Sequence, residues 1–177
     1  MTAQRAGVRA RIRLLAATAL VSVSLAACAA QPVATPPPPA DPGVAKVVWH
    51  VDFADPRRLS AMIQNVNNMT TTFAGELIDY DVRIVFLSGG IRFLTEDPLA
   101  RTPFAEDKAF KAMRKDLIVR LQQLREVENV KLELCEITRE ALNLPREKII
   151  PGVASVRSGV VRIAQLQHEG FAYLKIE

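Results

Sequence analysis

Val47-Val48-Trp49-His50-Val51-Asp52-Phe53, followed almost at once by Asp55-Pro56, is the stretch from which the fold can be read. A compact apolar run rich in β-branched and aromatic residues predicts a strand. Asp then Pro predicts a helix start, with the carboxylate as N-cap and the proline ring preset for the first helical position. Leu59, Met62, Ile63, Val66, Met69 and Phe73 then recur at helical spacing, so one face of that helix belongs to a core.

The same alternation continues to the C-terminus. Residues 82–87 read as a second strand that ends in Ser88-Gly89-Gly90. A less regular stretch with Pro98 and Pro103 leads to a helix over 108–127, with Met113, Leu117, Leu121 and Leu124 inward. Residues 130–135 form a third strand, 136–142 a helix, and 153–156 a short fourth strand. A helix over 158–169, capped by Ser158 and stopped by Gly170, precedes a last strand over 171–176. Strands alternating with helices argue for a parallel sheet with helices on both faces. The expected fold is α/β: a three-layer α/β/α domain over residues 46–177 with a mainly parallel five-stranded sheet, in an order that the pattern leaves open.

Before that domain the composition changes twice. Arg5, Arg9, Arg11 and Arg13, with no acid among them, precede an apolar stretch over 14–27. This is an export signal rather than a membrane span, which needs ~20 apolar residues. Leu25-Ala26-Ala27-Cys28 resembles a bacterial lipobox, which would make residues 1–27 a lipoprotein signal peptide and Cys28 the lipidated first residue of the mature chain. The expected location is then the bacterial cell envelope, anchored to the membrane through Cys28 and facing the periplasm. Ala29 after the cysteine implies outer-membrane sorting in a Gram-negative cell. Pro32, Pro36, Pro37, Pro38, Pro39 and Pro42 make the rest of 28–45 an extended linker, with a reach of roughly 50 Å at ~3.1 Å per residue. Four of the 23 basic residues leave with the signal, so 19 remain against 19 acids and the +4 balance of the whole chain vanishes. Without a basic footprint, nucleic acid is not an expected partner.

Cys28 and Cys135 are the only cysteines. With Cys28 lipidated, Cys135 is a single thiol in a compartment that oxidises thiols, so it is buried, paired between molecules, or reactive. It closes the third predicted strand and precedes a helix, whose free N–H groups and dipole favour an anionic sulfur. Alternation sets Val130, Leu132 and Leu134 on one face of that strand and Lys131, Glu133 and Cys135 on the other. A buried, inert cysteine accounts for the same residue equally well. Two further segments stand at carboxyl ends of strands, where ligands of parallel sheets bind. Ser88-Gly89-Gly90 is either an anion cradle or a tight turn that needs positive φ; Arg157-Ser158-Gly159 is either an anion pocket or a plain helix cap. His50 lies in a strand and His168 near a helix end; neither demands chemistry. Asn65, Asn67 and Asn68 on the first helix face a cleft, a partner or water. No Cys-x-x-Cys, His-Glu-x-x-His, Walker or Gly-x-Gly-x-x-Gly pattern is present, and neither a metal nor a cofactor is expected.

Val130-Lys131-Leu132-Glu133-Leu134-Cys135, Pro151-Gly152-Val153, Val156-Arg157-Ser158-Gly159-Val160-Val161 and Gln165-Leu166-Gln167-His168-Glu169-Gly170-Phe171-Ala172-Tyr173 resemble the C-terminal half of a DsrE/DsrF-like protein. The opening Val47–Phe53 run and Val85-Phe86-Leu87-Ser88-Gly89-Gly90-Ile91 fit its first half. The resemblance implies a flavodoxin-like α/β domain that assembles into a homo-oligomer, trimer or hexamer. It also implies that Cys135 matches the position at which some members hold a persulfide in sulfur relay, passing sulfur between donor and acceptor proteins. Those members are cytoplasmic, whereas this chain carries an export signal. Two functions follow: an envelope-anchored sulfur carrier or transferase acting through Cys135, or a non-enzymatic oligomeric binding module in which Cys135 is structural.

Overall fold

The computed structural model describes residues 43–177; the expected signal peptide, Cys28 and most of the proline-rich linker lie outside them. Five strands, β1 (Ala45–Val51), β2 (Tyr80–Phe86), β3 (Lys131–Cys135), β4 (Val153–Val156) and β5 (Ala172–Leu174), form one sheet in the order β4-β3-β2-β1-β5. Every pairing is parallel. The helices α1 (Pro56–Gly75), α2 (Lys108–Glu126), α3 (Glu136–Ala141) and α4 (Gly159–His168) alternate with the strands. The α/β architecture expected from the sequence is the one observed.

α1 begins where its capping chemistry requires. The Asp55 carboxylate accepts from the N–H groups of Arg57 and Arg58 at 2.7 and 3.2 Å, with Pro56 next in line. α2 is capped in the same way by Asp107, which accepts from the Phe110 N–H at 2.8 Å. The inner stripes of both helices meet Val47, Trp49, Val51, Ile84, Phe86, Leu132 and Leu134 of the sheet in the main core. Met69, Phe73 and Met113, expected inside, pack half-buried at its edge, and Phe110, which the sequence reading left out, is buried within it.

The other face is built differently. Only α4 covers it, and its apolar cluster is Val48, Val85, Ile163, Leu166 and Phe171. The remaining side chains that alternation sends to this face include Lys46, His50, Asp81, Arg83, Lys131 and Glu133. Two layers of helix are therefore present, but the second is thin, and Ala154 on the outer strand β4 is exposed.

The irregular segment after β2 starts as a 3-10 helix, Ser88–Leu94, that the sequence reading did not anticipate. Ile91, Phe93 and Leu94 are buried in the main core, and Arg92 lies over the Phe110 ring, its guanidinium carbon 4.2 Å from the ring centroid, while donating to Asp107 at 2.9 Å. The two glycines are there for space. A Cβ on Gly90 would stand 2.3 Å from the Val51 carbonyl oxygen, and one on Gly89 would stand 2.9 Å from the Phe53 carbonyl carbon. The positive φ expected of these glycines is carried instead by Ser88, at 50°. Because the obstacle at Gly90 is backbone, Gly90→Ala is expected to lower unfolding stability by about 1–3 kcal/mol or more, read as a lower urea midpoint at unchanged slope.

Candidate functional site

The strand order decides where a site can form. The segments that follow β1, β2 and β3 pack on the main-core side, whereas the chain leaving β4 forms α4 on the opposite face. β3 and β4 are neighbours, with Cys135 in register with Val156. Their continuations thus part to opposite sides, and a crevice at the carboxyl ends of such strands is where open α/β sheets bind ligands.

Cys135 stands at that parting. It is the last residue of β3 and the N-cap residue of α3. Its neighbours Leu132 and Leu134 enter the main core while Cys135 and Glu133 face α4, as alternation requires. Cys135 belongs to neither apolar cluster, yet only 5% of it is exposed. The start of α4 packs against it. A Cβ on Gly159, the first residue of that helix, would lie 3.2 Å from the Cys135 Cβ and 3.2 Å from Leu87 Cδ2. Glycine lets the helix start rest on the cysteine. Ser158 caps the helix, its hydroxyl accepting from the Val161 N–H at 3.4 Å, and Arg157 beside it is exposed. A hollow of about 430 Å³, lined by Glu133, Val156, Arg157, Ser158, Val161 and Arg162 among others, opens next to this contact.

Of the residues singled out in sequence, the structure brings Cys135, Arg157, Ser158 and Gly159 together. Ser88 joins them indirectly: its N–H donates to Thr138 Oγ1 at 3.0 Å, tying the end of β2 to the turn of α3 just after Cys135. Gly89 and Gly90 point elsewhere, into the end of β1.

Charges around the cysteine are compensated locally. Glu136, next in sequence, is pushed up by burial, but hydrogen bonds from Ser155 and Arg139 and the charges of Arg139 and Arg146 more than offset this and hold its carboxyl below the usual range. The Arg139 Nε–Glu136 distance is 2.6 Å. Beneath α4, Glu133 is 4% exposed and accepts from Arg83 Nη1 at 3.0 Å, Arg162 Nε at 2.8 Å and Arg162 Nη2 at 3.3 Å. Asp81 continues this network to Arg83 and Lys131. Burial raises its carboxyl, and the hydrogen bonds and charges of those two partners bring it below its ordinary value. The sequence reading noted Glu133 only as a foil to Cys135 and passed over Arg83 and Arg162. The available signal was a charged residue at alternate positions of two central strands.

A second polar group lies on the same face at the β1–β5 edge. His50 Nδ1 is 2.8 Å from the Tyr173 hydroxyl, its Nε2 is 3.7 Å from Asp52, and Lys175 donates to Asp52 at 3.0 Å. Among the described residues, no three His, Cys, Asp or Glu side chains converge as a metal site.

A family model described as the DsrE/DsrF-like family matches residues 54–176. Among solved structures, the chain is similar to a protein of unknown function, MTH1491 from Methanobacterium thermoautotrophicum. Identity is 26% over 74% of this chain and 98% of that one, with a TM-score of 0.56. It also matches the ychN protein from E. coli, at 16% identity, 75% and 100% coverage, and a TM-score of 0.48. A comparison with curated proteins gives no match.

Burial holds the His50 imidazole below its ordinary value, with Lys175 adding to the effect and Asp52 opposing it. The folded chain therefore binds fewer protons at His50 than the unfolded chain does. Stability from this group is complete above pH ~6.5 and falls as pH drops from there through the lowered folded value. Melting temperature is expected to decline between pH 7 and 5, and His50→Gln to flatten that part of the profile.

Proposed function

The chain belongs to the DsrE/DsrF-like family, which is associated with sulfur relay, and we propose that within it this protein carries sulfane sulfur on Cys135. One observation supports the reading above others. Cys135 closes an interior strand at the point where neighbouring strands send their helices to opposite faces, with the first residue of α4 packed against its Cβ. Helix starts present free N–H groups and the positive end of a dipole, which suit an anionic sulfur.

The chemistry balances without an outside oxidant. The Cys135 thiolate attacks the outer sulfur of a persulfide or of thiosulfate. One S–S bond forms as another breaks, and the leaving thiolate or sulfite takes the electron pair. Cys135 then holds a persulfide, whose outer sulfur passes to an acceptor thiolate in a second exchange that returns the Cys135 thiolate. Its partners are then a protein that donates sulfane sulfur and one whose thiolate accepts it.

The proposal extends to place and assembly. Cys28 anchors the protein through lipid to the envelope, facing the periplasm, and the proline-rich linker holds the domain away from the bilayer. The domain assembles with copies of itself as a trimer or hexamer. An exposed apolar side chain supports such a contact: Ile137, two residues beyond Cys135. The competing reading, an oligomeric binding module with a structural Cys135, draws on the burial of that thiol.

Exposure to thiosulfate or polysulfide, followed by mass analysis of the peptide that contains Cys135, is expected to show one added sulfur, and none in Cys135→Ala. If no sulfane donor yields the adduct, the module reading replaces the carrier. Cys28→Ala is expected to shift the protein from the membrane fraction to the soluble fraction; retention in the membrane would remove the anchor.

A further inference from the structure

Resting on the reading of Cys135 as the sulfur carrier, we propose that Arg162 and Glu133 are positioning residues that hold α4 as a movable cover over that thiol. The sulfur of a carrier must meet bulky donors and acceptors, yet Cys135 is almost fully buried and the start of α4, at Gly159, packs against its Cβ. Something has to move, and the forces on the surrounding elements differ.

The start of α3 is pinned on several sides. Thr138 holds the Ser88 N–H, Arg139 donates to the Leu144 carbonyl at 2.7 Å, and Glu136 gathers Arg139, Arg146 and Ser155. The first turn of α4 has far less. Val160 and Val161 point outward, the Ser158 cap is a long 3.4 Å, and the helix buries only Gly159, Ile163 and Leu166. Elements with few buried apolar contacts open at lower cost than the core.

What fastens this end of α4 to the sheet is the two-pronged bond from Arg162 to Glu133. Arg162 lies three residues after Gly159, so one helical turn separates the fastening from the cover. Glu133 lies two residues before Cys135 on the same face of β3. The tie at the other end of the helix, from Lys46 to the Glu169 carbonyl at 3.1 Å, leaves the first turn free to lift. The hollow beside Val161 and Arg162 gives that turn space on the side of β4, where no helix covers the sheet. Arg83 continues to hold Glu133 when Arg162 lets go, so opening leaves the carboxylate partnered.

The test measures access separately from sulfur chemistry. The full chain is labelled with N-ethylmaleimide, which is uncharged and so is not itself attracted by an arginine, and the rate is read on the peptide containing Cys135. Loss of a nearby positive charge favours the thiol over the reactive thiolate, so acceleration on its removal reports access. Arg162→Met, of similar length, is expected to label at least tenfold faster than wild type, with faster hydrogen exchange confined to α4. Arg162→Lys, which restores the charge but not the fork, is expected to fall between the two. Ile63→Val on the opposite face of the sheet serves as the control for general loosening.

An unchanged rate in Arg162→Met overturns the proposal, and so does equal acceleration in Ile63→Val. Faster labelling without any sulfur adduct keeps the cover and removes the carrier. An adduct without faster labelling keeps the carrier and removes the cover.

Discussion

Glu133 is a carboxylate enclosed in the middle of a parallel sheet, a position that desolvation makes costly unless partners surround it. Two arginines do so, Arg83 from the neighbouring strand and Arg162 from the helix above. Such pairs seldom stabilise a fold beyond what apolar packing would give, but removing one partner is expensive, so they fix geometry more than they add energy. Here the geometry fixed is the seat of α4. The opposite face of the sheet needs no such device, because Phe86, Leu132, Leu134 and the stripes of α1 and α2 bury enough apolar surface to place their helices unaided. The asymmetry is between a thick apolar face and a thin charged one, and it sets what holds each helix to the sheet.

That asymmetry also explains what could be read in advance. The elements were legible because each carries its own local signal. Asp55-Pro56 and Ser158 start helices where a capping oxygen meets free N–H groups, and the β-branched runs of β1 and β2 mark buried strands. The 3-10 helix after β2 gave no such signal. Its glycines read as turn residues, but they are small because the backbone of β1 lies against them, a contact between segments more than thirty residues apart. Strand order was equally out of reach, since nothing in the run from Ser158 to Ala172 says that the chain crosses to the far side of β1.

Cys135 shows the same division. Its place at a strand end before a helix was local and readable, and so was its side of β3. Its contact with Gly159 depends on the crossing of α4, so the sequence left the buried and reactive readings level. Glu133 was noted only beside Cys135, and Arg83 was passed over, for the related reason that a charged residue at alternate strand positions suggests a solvated face. In this sheet the face is covered, and the charges bond to one another instead of to water.

A lone thiol in an oxidising compartment meets two opposed demands under the proposed function. Left open, it climbs the oxidation ladder or pairs with another protein; sealed for good, it can neither take up nor deliver sulfur. A fixed apolar plug would serve the first demand and defeat the second. A helix end fastened by an ion pair can serve both, because its resting contact excludes water and its release leaves Glu133 with Arg83 as partner. The small apolar cluster under α4 then has a physical reason to be small: more burial beneath the first turn would bind the cover too firmly for a donor to displace.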